Sequence, residues 1–402
     1  MWQTRQRVFG CALVLASALA WSSLAVRADD RRDDRRDDNG HINTVFVIAM
    51  ENHNWTQPIP NPDPTQFPNQ IAGNPAAPFI NSLVNGTSGI SDQVAYASDY
   101  LNSGVGIHPS EPNYIWMEAG SNLGVLSDAD PWAKPPSCAP QTVQTTHDHL
   151  SAYLTKAGRT WRSYQEDVNV DFTTNLPLPS GSWTAPINST SGTAGLGFLN
   201  PYNFTHQFNY APKHNPMVFF TDTNGGHCPG ATTTQFPPLQ QLAIDLQNDA
   251  VADYNWITPN QYNDQHSELA TGYGIYPSNS DQAGIAQGDN FLARVVPLIM
   301  ASKAYKDHGV IMLWWDETEE DSNADTTRDD GSHTLPFIII SKDVHDNIGG
   351  KPFKSTITYS HASTLRTLQE IFDVDPRRGF PFLGDAVVAT DLSELFKPGA
   401  IR

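Results

Sequence analysis

The chain is poor in cysteine, in basic residues and in long apolar runs, and each shortage excludes something. Three cysteines in 402 residues match no zinc-motif spacing. Cys11 lies near the start of the first hydrophobic stretch rather than after it, which does not fit a lipoprotein cleavage site. Cys138 and Cys228 could pair in an oxidising compartment, although sequence says nothing of their proximity. Lysine and arginine number 24 against 43 acidic residues, a formal charge of −19. That excludes a broad basic surface for nucleic acid. Any anionic ligand has to be drawn in locally. Beyond residue 28 no segment is apolar enough to span a bilayer. Gly-x-Ser-x-Gly is absent around Ser110, which removes an α/β-hydrolase nucleophile elbow. The Walker A spacing is also absent.

The N-terminus, by contrast, is patterned. Arg5 and Arg7 precede a mostly apolar run from Val8 to Leu24, and Val26-Arg27-Ala28 has a small-residue cleavage pattern. This reads as a secretory signal over 1–28; a membrane anchor is the alternative. Residues 29–41 repeat Asp-Asp-Arg-Arg, hold almost nothing apolar, and read as a disordered charged arm. From there no clean linker interrupts the chain, so 42–402 reads as one domain.

Short apolar runs at Val45–Met50, Met217–Phe220, Val310–Trp315 and Phe337–Ser341 predict buried strands. Apolar residues recurring at three and four predict helices at Asp148–Lys156, Pro238–Asn248, Asn290–Ala304 and Ser363–Phe372. The alternation predicts an α/β fold, with a mainly parallel central sheet and helices on both faces. Turn-forming residues between Leu176 and Asn203, and again between Asn260 and Ser280, predict long surface excursions.

The chemistry gathers at strand ends. The run Val45–Met50 closes on Glu51-Asn52, and Trp314-Trp315 closes on Asp316-Glu317. Side chains at the carboxyl end of parallel strands face the crevice where α/β proteins bind ligands. Ser110 lies between Pro109 and Glu111-Pro112, ahead of a segment with helical potential. A hydroxyl at a helix N-terminus suits anion chemistry. Trp256-Ile257 leads into Asn260, Asp264 and His266, which are either turn formers or ligands. His108, His214, His333 and His361 border apolar or helical segments, where a lone histidine is often only structural. His147 and His149 read as surface. Trp55, Trp116, Trp132 and Trp183 could form a cage for a quaternary ammonium, or simply pack.

Seven blocks, VFVIAMENHNW, HPSEPNYI, KHNPMVFFTD, NWITPNQYNDQHS, LWWDE, GSHTLPFIII and YSHASTLRTLQEIF, follow in that order. Together they resemble the bacterial phosphoesterase family of acid phosphatases and phospholipases C, within the alkaline-phosphatase-like superfamily, from about Asn43 to about Asp373. The resemblance implies a secreted or periplasmic, metal-dependent phosphoric ester hydrolase of acid-phosphatase type working through a phosphoserine. It implies one divalent metal ion held by Glu51, Ser110, Asp316 and Glu317; Glu317 stands where the wider superfamily more often has histidine. Ser110, His266 and His108 would be catalytic, while Asn52, His214, His333 and His361 would bind substrate. The expected partner is a small phosphate ester or a phospholipid head group, with neither nucleic acid nor a stable protein partner implied. Phospholipase C activity on phosphodiesters, and a non-catalytic binding protein on a degenerate scaffold, are the alternatives.

Overall fold

Thr44–Met50 (β1) is a strand covered on both faces: every residue after the first is buried. Alternate residues point to opposite faces, so a run with no polar positions needs cover on each side. Tyr254–Thr258 (β6), Gly309–Trp315 (β7) and Phe337–Ser341 (β8) are buried throughout in the same way. Val94–Leu101 (β2), Trp161–Gln165 (β3) and Phe353–Ser360 (β9) complete the sheet. A separate two-residue ribbon pairs Asn188–Ser189 (β4) with Phe208–Asn209 (β5). The computed structural model describes residues 40–55, 70–103, 107–171, 173–184, 186–189, 197–318, 334–347 and 349–402, which lie in one compact unit. The expected signal over 1–28, the charged arm up to residue 39 and His333 fall outside the described residues.

The strand order is β3-β6-β1-β7-β8-β2-β9. Neighbours run parallel except at β8, which is antiparallel to both β7 and β2. The sheet is therefore mixed and mostly parallel, as expected, with one reversed inner strand. The helices longer than one turn are Pro78–Asn85 (α1), Ser110–Ala119 (α2), Leu150–Lys156 (α3), Gln240–Gln247 (α4), Asp281–Ala301 (α5) and His361–Ile371 (α6). α1 packs against α5, and α2 against α6. Among the described residues, no helix is long and apolar enough to cross a membrane.

Two expected elements need correction. Met217–Phe220 is not a strand: Pro216–Phe219 is a 3-10 turn, with Pro216 setting its first φ. The run is wholly buried, and a short buried apolar run does not distinguish strand from helix. α5 begins nine residues before the expected Asn290. Gly284 and Gly288 weaken the helical signal in its first half. Both are needed for close approach, since a Cβ on Gly288 would lie 2.3 Å from Gln265 Cγ and one on Gly284 would lie 3.2 Å from the Gln265 carbonyl oxygen.

All ten residues of α2 are buried, including Glu111 and Glu118. Gly120 ends it at φ 68°, where a Cβ would meet the Leu383 carbonyl oxygen at 2.1 Å. Glu118 is held by Ser151 and by His149, whose Nδ1 donates to Glu118 Oε2 at 3.0 Å and whose Nε2 donates to Asp222 Oδ1 at 2.9 Å. His149 is fully buried, not a surface residue. Burial alone would lower its pKa, but the hydrogen bonds and charges of Asp222 and Glu118 outweigh it and raise the value to about 9. The folded value lies above the unfolded one, so this stabilisation is complete below about pH 6.5 and lost as pH rises through about 9. The wild-type protein should lose about 3 kcal/mol more unfolding free energy than His149→Gln between pH 6 and 9.5. Urea titration of both proteins measures this, and parallel pH slopes would remove the charged-histidine assignment.

Candidate active site

The strand register assembles the site. Met50 is paired with Trp315 in the β1–β7 ladder, so the next residues on each strand, Glu51 and Asp316, emerge side by side. Asp316 N–H donates to the Met50 carbonyl at 3.2 Å, and Glu51 N–H donates to the Asp264 carbonyl at 2.8 Å. Asn52 turns the chain with φ 45°, a conformation asparagine tolerates better than most residues. Its N–H then donates to Asp316 Oδ1 at 3.1 Å.

Ser110 is the first residue of α2 and is 2% exposed. Its hydroxyl lies 2.9 Å from Glu317 Oε1 and 3.2 Å from Glu51 Oε2. Helical spacing places Asn113 and Tyr114 beside it, at i+3 and i+4. Asn113 Nδ2 donates to Glu317 Oε2 at 3.3 Å, and the Tyr114 hydroxyl donates to Glu51 Oε1. His108 Nδ1 sits 2.8 Å from Glu317 Oε2 and keeps some solvent contact. Asn113 and Tyr114 were not among the expected site residues, although their spacing from Ser110 was a usable signal.

His214 lies on a 3-10 turn, Pro212–His214, pinned where Thr258 Oγ1 donates to its carbonyl at 2.9 Å. Its ring stacks on Tyr114, with centroids 5.1 Å apart. Nε2 is 3.2 Å from Glu51 Oε1 and Nδ1 is 3.3 Å from Asp264 Oδ2. Neither contact is aligned as a hydrogen bond, and both ring nitrogens are without a hydrogen-bond partner. Asp264 is positioned through Gln265, which has φ 87°. Gln265 is held at both ends of its amide: Oε1 accepts from Trp315 Nε1 at 2.9 Å, and Nε2 donates to the Ile285 carbonyl at 3.1 Å. Asn260 and Asn263 donate side-chain hydrogen bonds to buried Asp167 and Glu166, tying the same loop to the end of β3.

Four carboxylates therefore share one buried crevice. Burial, then the charges of Asp316 and Asp264, push Glu51 well up; Lys213 and Tyr114 oppose this. Burial pushes Asp264 up, and burial with the Glu317 charge raises Asp316 to about 8. Such a cluster is costly without a cation. The donor set fits one. Glu51, His214 and Asp264 offer ligand atoms within 4.8 Å of one another. Asp264 Oδ2, Asp316 Oδ2 and Asn52 Oδ1 are buried without partners. Carboxylate oxygens with an imidazole nitrogen suit zinc and harder divalent ions. The grouping places His214 and Asp264 with the ligand candidates, beside the expected Glu51, Ser110, Asp316 and Glu317.

Three histidines differ from expectation. His361 is fully buried and both ring nitrogens are taken. Nδ1 accepts from Trp314 Nε1 at 2.9 Å, and Nε2 donates to the Asp316 carbonyl at 2.5 Å. No nitrogen is left for a phosphate oxygen, so this residue braces Asp316 instead of binding substrate. Burial, with the charge of Lys213, lowers His266 to about 4, and burial lowers His214 well below its usual value. These rings are neutral over most of the acid range and do not supply an acidic optimum as protonated imidazoles. The four tryptophans are not gathered either: Trp132 and Trp183 stack 6.2 Å apart, while Trp55 meets Tyr96.

A model of the Phosphoesterase family matches residues 90–375. The chain is 26% identical over 328 residues to a phosphatidylinositol-3-phosphatase of Mycobacterium tuberculosis, covering 81% of this chain and 78% of that protein. It is 25% identical to a probable acid phosphatase of Kluyveromyces lactis over 48% of this chain and 37% of that protein. A solved protein of the alkaline phosphatase superfamily from Vibrio parahaemolyticus is similar at 12% identity and a TM-score of 0.44, over 83% of this chain and 67% of that one.

Proposed function

Since the chain belongs to the Phosphoesterase family and is a phosphoric ester hydrolase, we propose that Ser110 is its nucleophile and phosphate monoesters its substrates. One observation carries the reading: a buried serine hydroxyl at the start of a helix lies within hydrogen-bond distance of two carboxylates, 2.9 and 3.2 Å away. Glu317 is the nearer acceptor and takes the hydroxyl proton as Ser110 Oγ attacks phosphorus. The bond to the leaving oxygen breaks, the alcohol takes a proton, and a phosphoserine remains for water to cleave. Asn52, placed at the crevice by the bond from its N–H to Asp316 Oδ1, orients a phosphoryl oxygen by donating from its side-chain Nδ2. His108 is the better proton donor of the two expected, because His266 is held neutral. A divalent cation among Glu51, Asp264, Asp316, Glu317 and His214 would neutralise the carboxylates and stabilise charge on the phosphoryl oxygens.

The monoester reading also draws on the relatives named as phosphatases. Export is proposed from the N-terminal pattern over 1–28 and from the Cys138–Cys228 disulfide, whose Cα atoms are 5.6 Å apart. Residues 42–402 would then be the mature phosphoesterase domain. The discriminating assay measures kcat/KM on p-nitrophenyl phosphate, its bis ester and phosphatidylcholine. The monoester is expected to lead by at least about tenfold. A lead for either diester would replace this reading with phospholipase C-type chemistry.

A further inference from the structure

A cavity of about 510 Å³ lies beside the carboxylate crevice, walled by Trp132, Trp183 and Tyr210 together with Asp128, Asp130 and Lys213. Three links tie it to the site. Asp128 Oδ1 accepts from the backbone N–H of Glu111, the residue after Ser110, at 3.1 Å. Lys213 precedes His214 in the chain, and His214 Nε2 lies 3.2 Å from Glu51 Oε1. Gln261, also in the wall, lies in the loop that carries Asp264. From this placement we infer that the cavity is the leaving-group subsite and takes an uncharged, ring-shaped alcohol. The inference rests on the reading of Ser110 as the phosphoester centre.

The wall chemistry selects that class. Its volume is in the range of small-molecule sites and far exceeds what a phosphate or a two-carbon alcohol fills. Indole and phenol faces favour the flat or chair face of a ring. The charged groups cancel. Asp128 is paired with Lys213 at 2.9 Å, and Asp130, raised by burial, is opposed by Lys134. Two acids against two bases leave the wall without a surplus charge of either sign to pair with a quaternary ammonium or a second anion. The same groups accept and donate hydrogen bonds, which suits ring hydroxyls. The disulfide holds this wall in place, since Cys228 lines the cavity and Cys138 lies in the loop after Trp132. Gly230 packs so close to Trp183 that a Cβ would lie 2.7 Å from its Nε1.

Cyclohexyl phosphate and ethyl phosphate test this cleanly, because both leaving groups are simple alkanols of similar basicity and differ mainly in the ring. The wild-type protein should favour cyclohexyl over ethyl phosphate and over phosphocholine by at least about tenfold in kcat/KM. Trp132→Ala and Trp183→Ala should raise KM for cyclohexyl phosphate about tenfold, with kcat and the rate on ethyl phosphate within about twofold. Ala133→Trp, which fills the cavity from its wall, should do the same. Inhibition by inorganic phosphate, which does not reach the cavity, should be unchanged and reports folding of each variant. Equal losses on both esters in variants that still bind phosphate, or preference for phosphocholine, would overturn the subsite. Failure of the wild type on all three esters would instead overturn the phosphomonoester reading beneath it.

Discussion

Ser110→Ala is expected to lower kcat by about three orders of magnitude or more, because loss of a covalent nucleophile removes the reaction path and not merely a contact. The hydroxyl is the group aimed from the start of α2 at Glu51 and Glu317. The fold should survive: the Ser110 hydroxyl meets the side chains of Glu51 and Glu317, not the backbone of a turn or cap, and Ala is favourable in a helix. Removing the donor leaves two buried carboxylates less satisfied, at a cost of about 1–3 kcal/mol. Inhibition by inorganic phosphate should persist, since Asn52 and the cation ligands remain. Acid-quenched wild-type turnover should carry phosphate on the peptide containing Ser110, and the variant should carry none. A variant within about tenfold of wild type, with no trapped phosphoserine in either protein, would end the covalent mechanism.

Removing divalent metal should cost activity by at least about a hundredfold and should also destabilise the protein in a pH-dependent way. Glu51, Asp264 and Asp316 are all raised by burial, Asp316 to about 8. With the folded values above the unfolded ones, the metal-free protein keeps its full stability only below about pH 4. It loses stability as pH rises through about 8, while these groups are forced to ionise without a cation. A bound cation keeps the same groups ionised at little cost. At a thousand times Kd it adds about 4 kcal/mol. Thermal melts with and without chelator should therefore diverge far more at pH 8 than at pH 5. Asp264→Ala and Glu317→Ala should both lower the metal content found by elemental analysis. Full activity in protein verified as metal-free would remove the cation from the mechanism.

Much of this was legible in the chain. Three of four expected strands stand within one residue of their apolar runs, because a strand buried on both faces has no other composition. The acids that close two of those runs, Glu51 and Asp316-Glu317, emerge at the carboxyl ends of neighbouring inner strands. Ser110 was marked by its helix start and its flanking prolines. β2 and β9 escaped notice because they mix buried with part-exposed positions, leaving no continuous apolar run to read. Tertiary structure alone decided the rest. Pairing of Met50 with Trp315 set Glu51 beside Asp316, and a one-residue slip would have turned each to the opposite face. The approach of α5 across Gly284 and Gly288 fixed Gln265, and with it Asp264. Burial separated His361, whose ring is consumed by Trp314 and the Asp316 carbonyl, from His108, which keeps solvent and Glu317. Sequence names the groups able to do chemistry; only packing determines which of their atoms remain unpaired, and those oxygens and imidazole nitrogens are the ones placed to hold a cation.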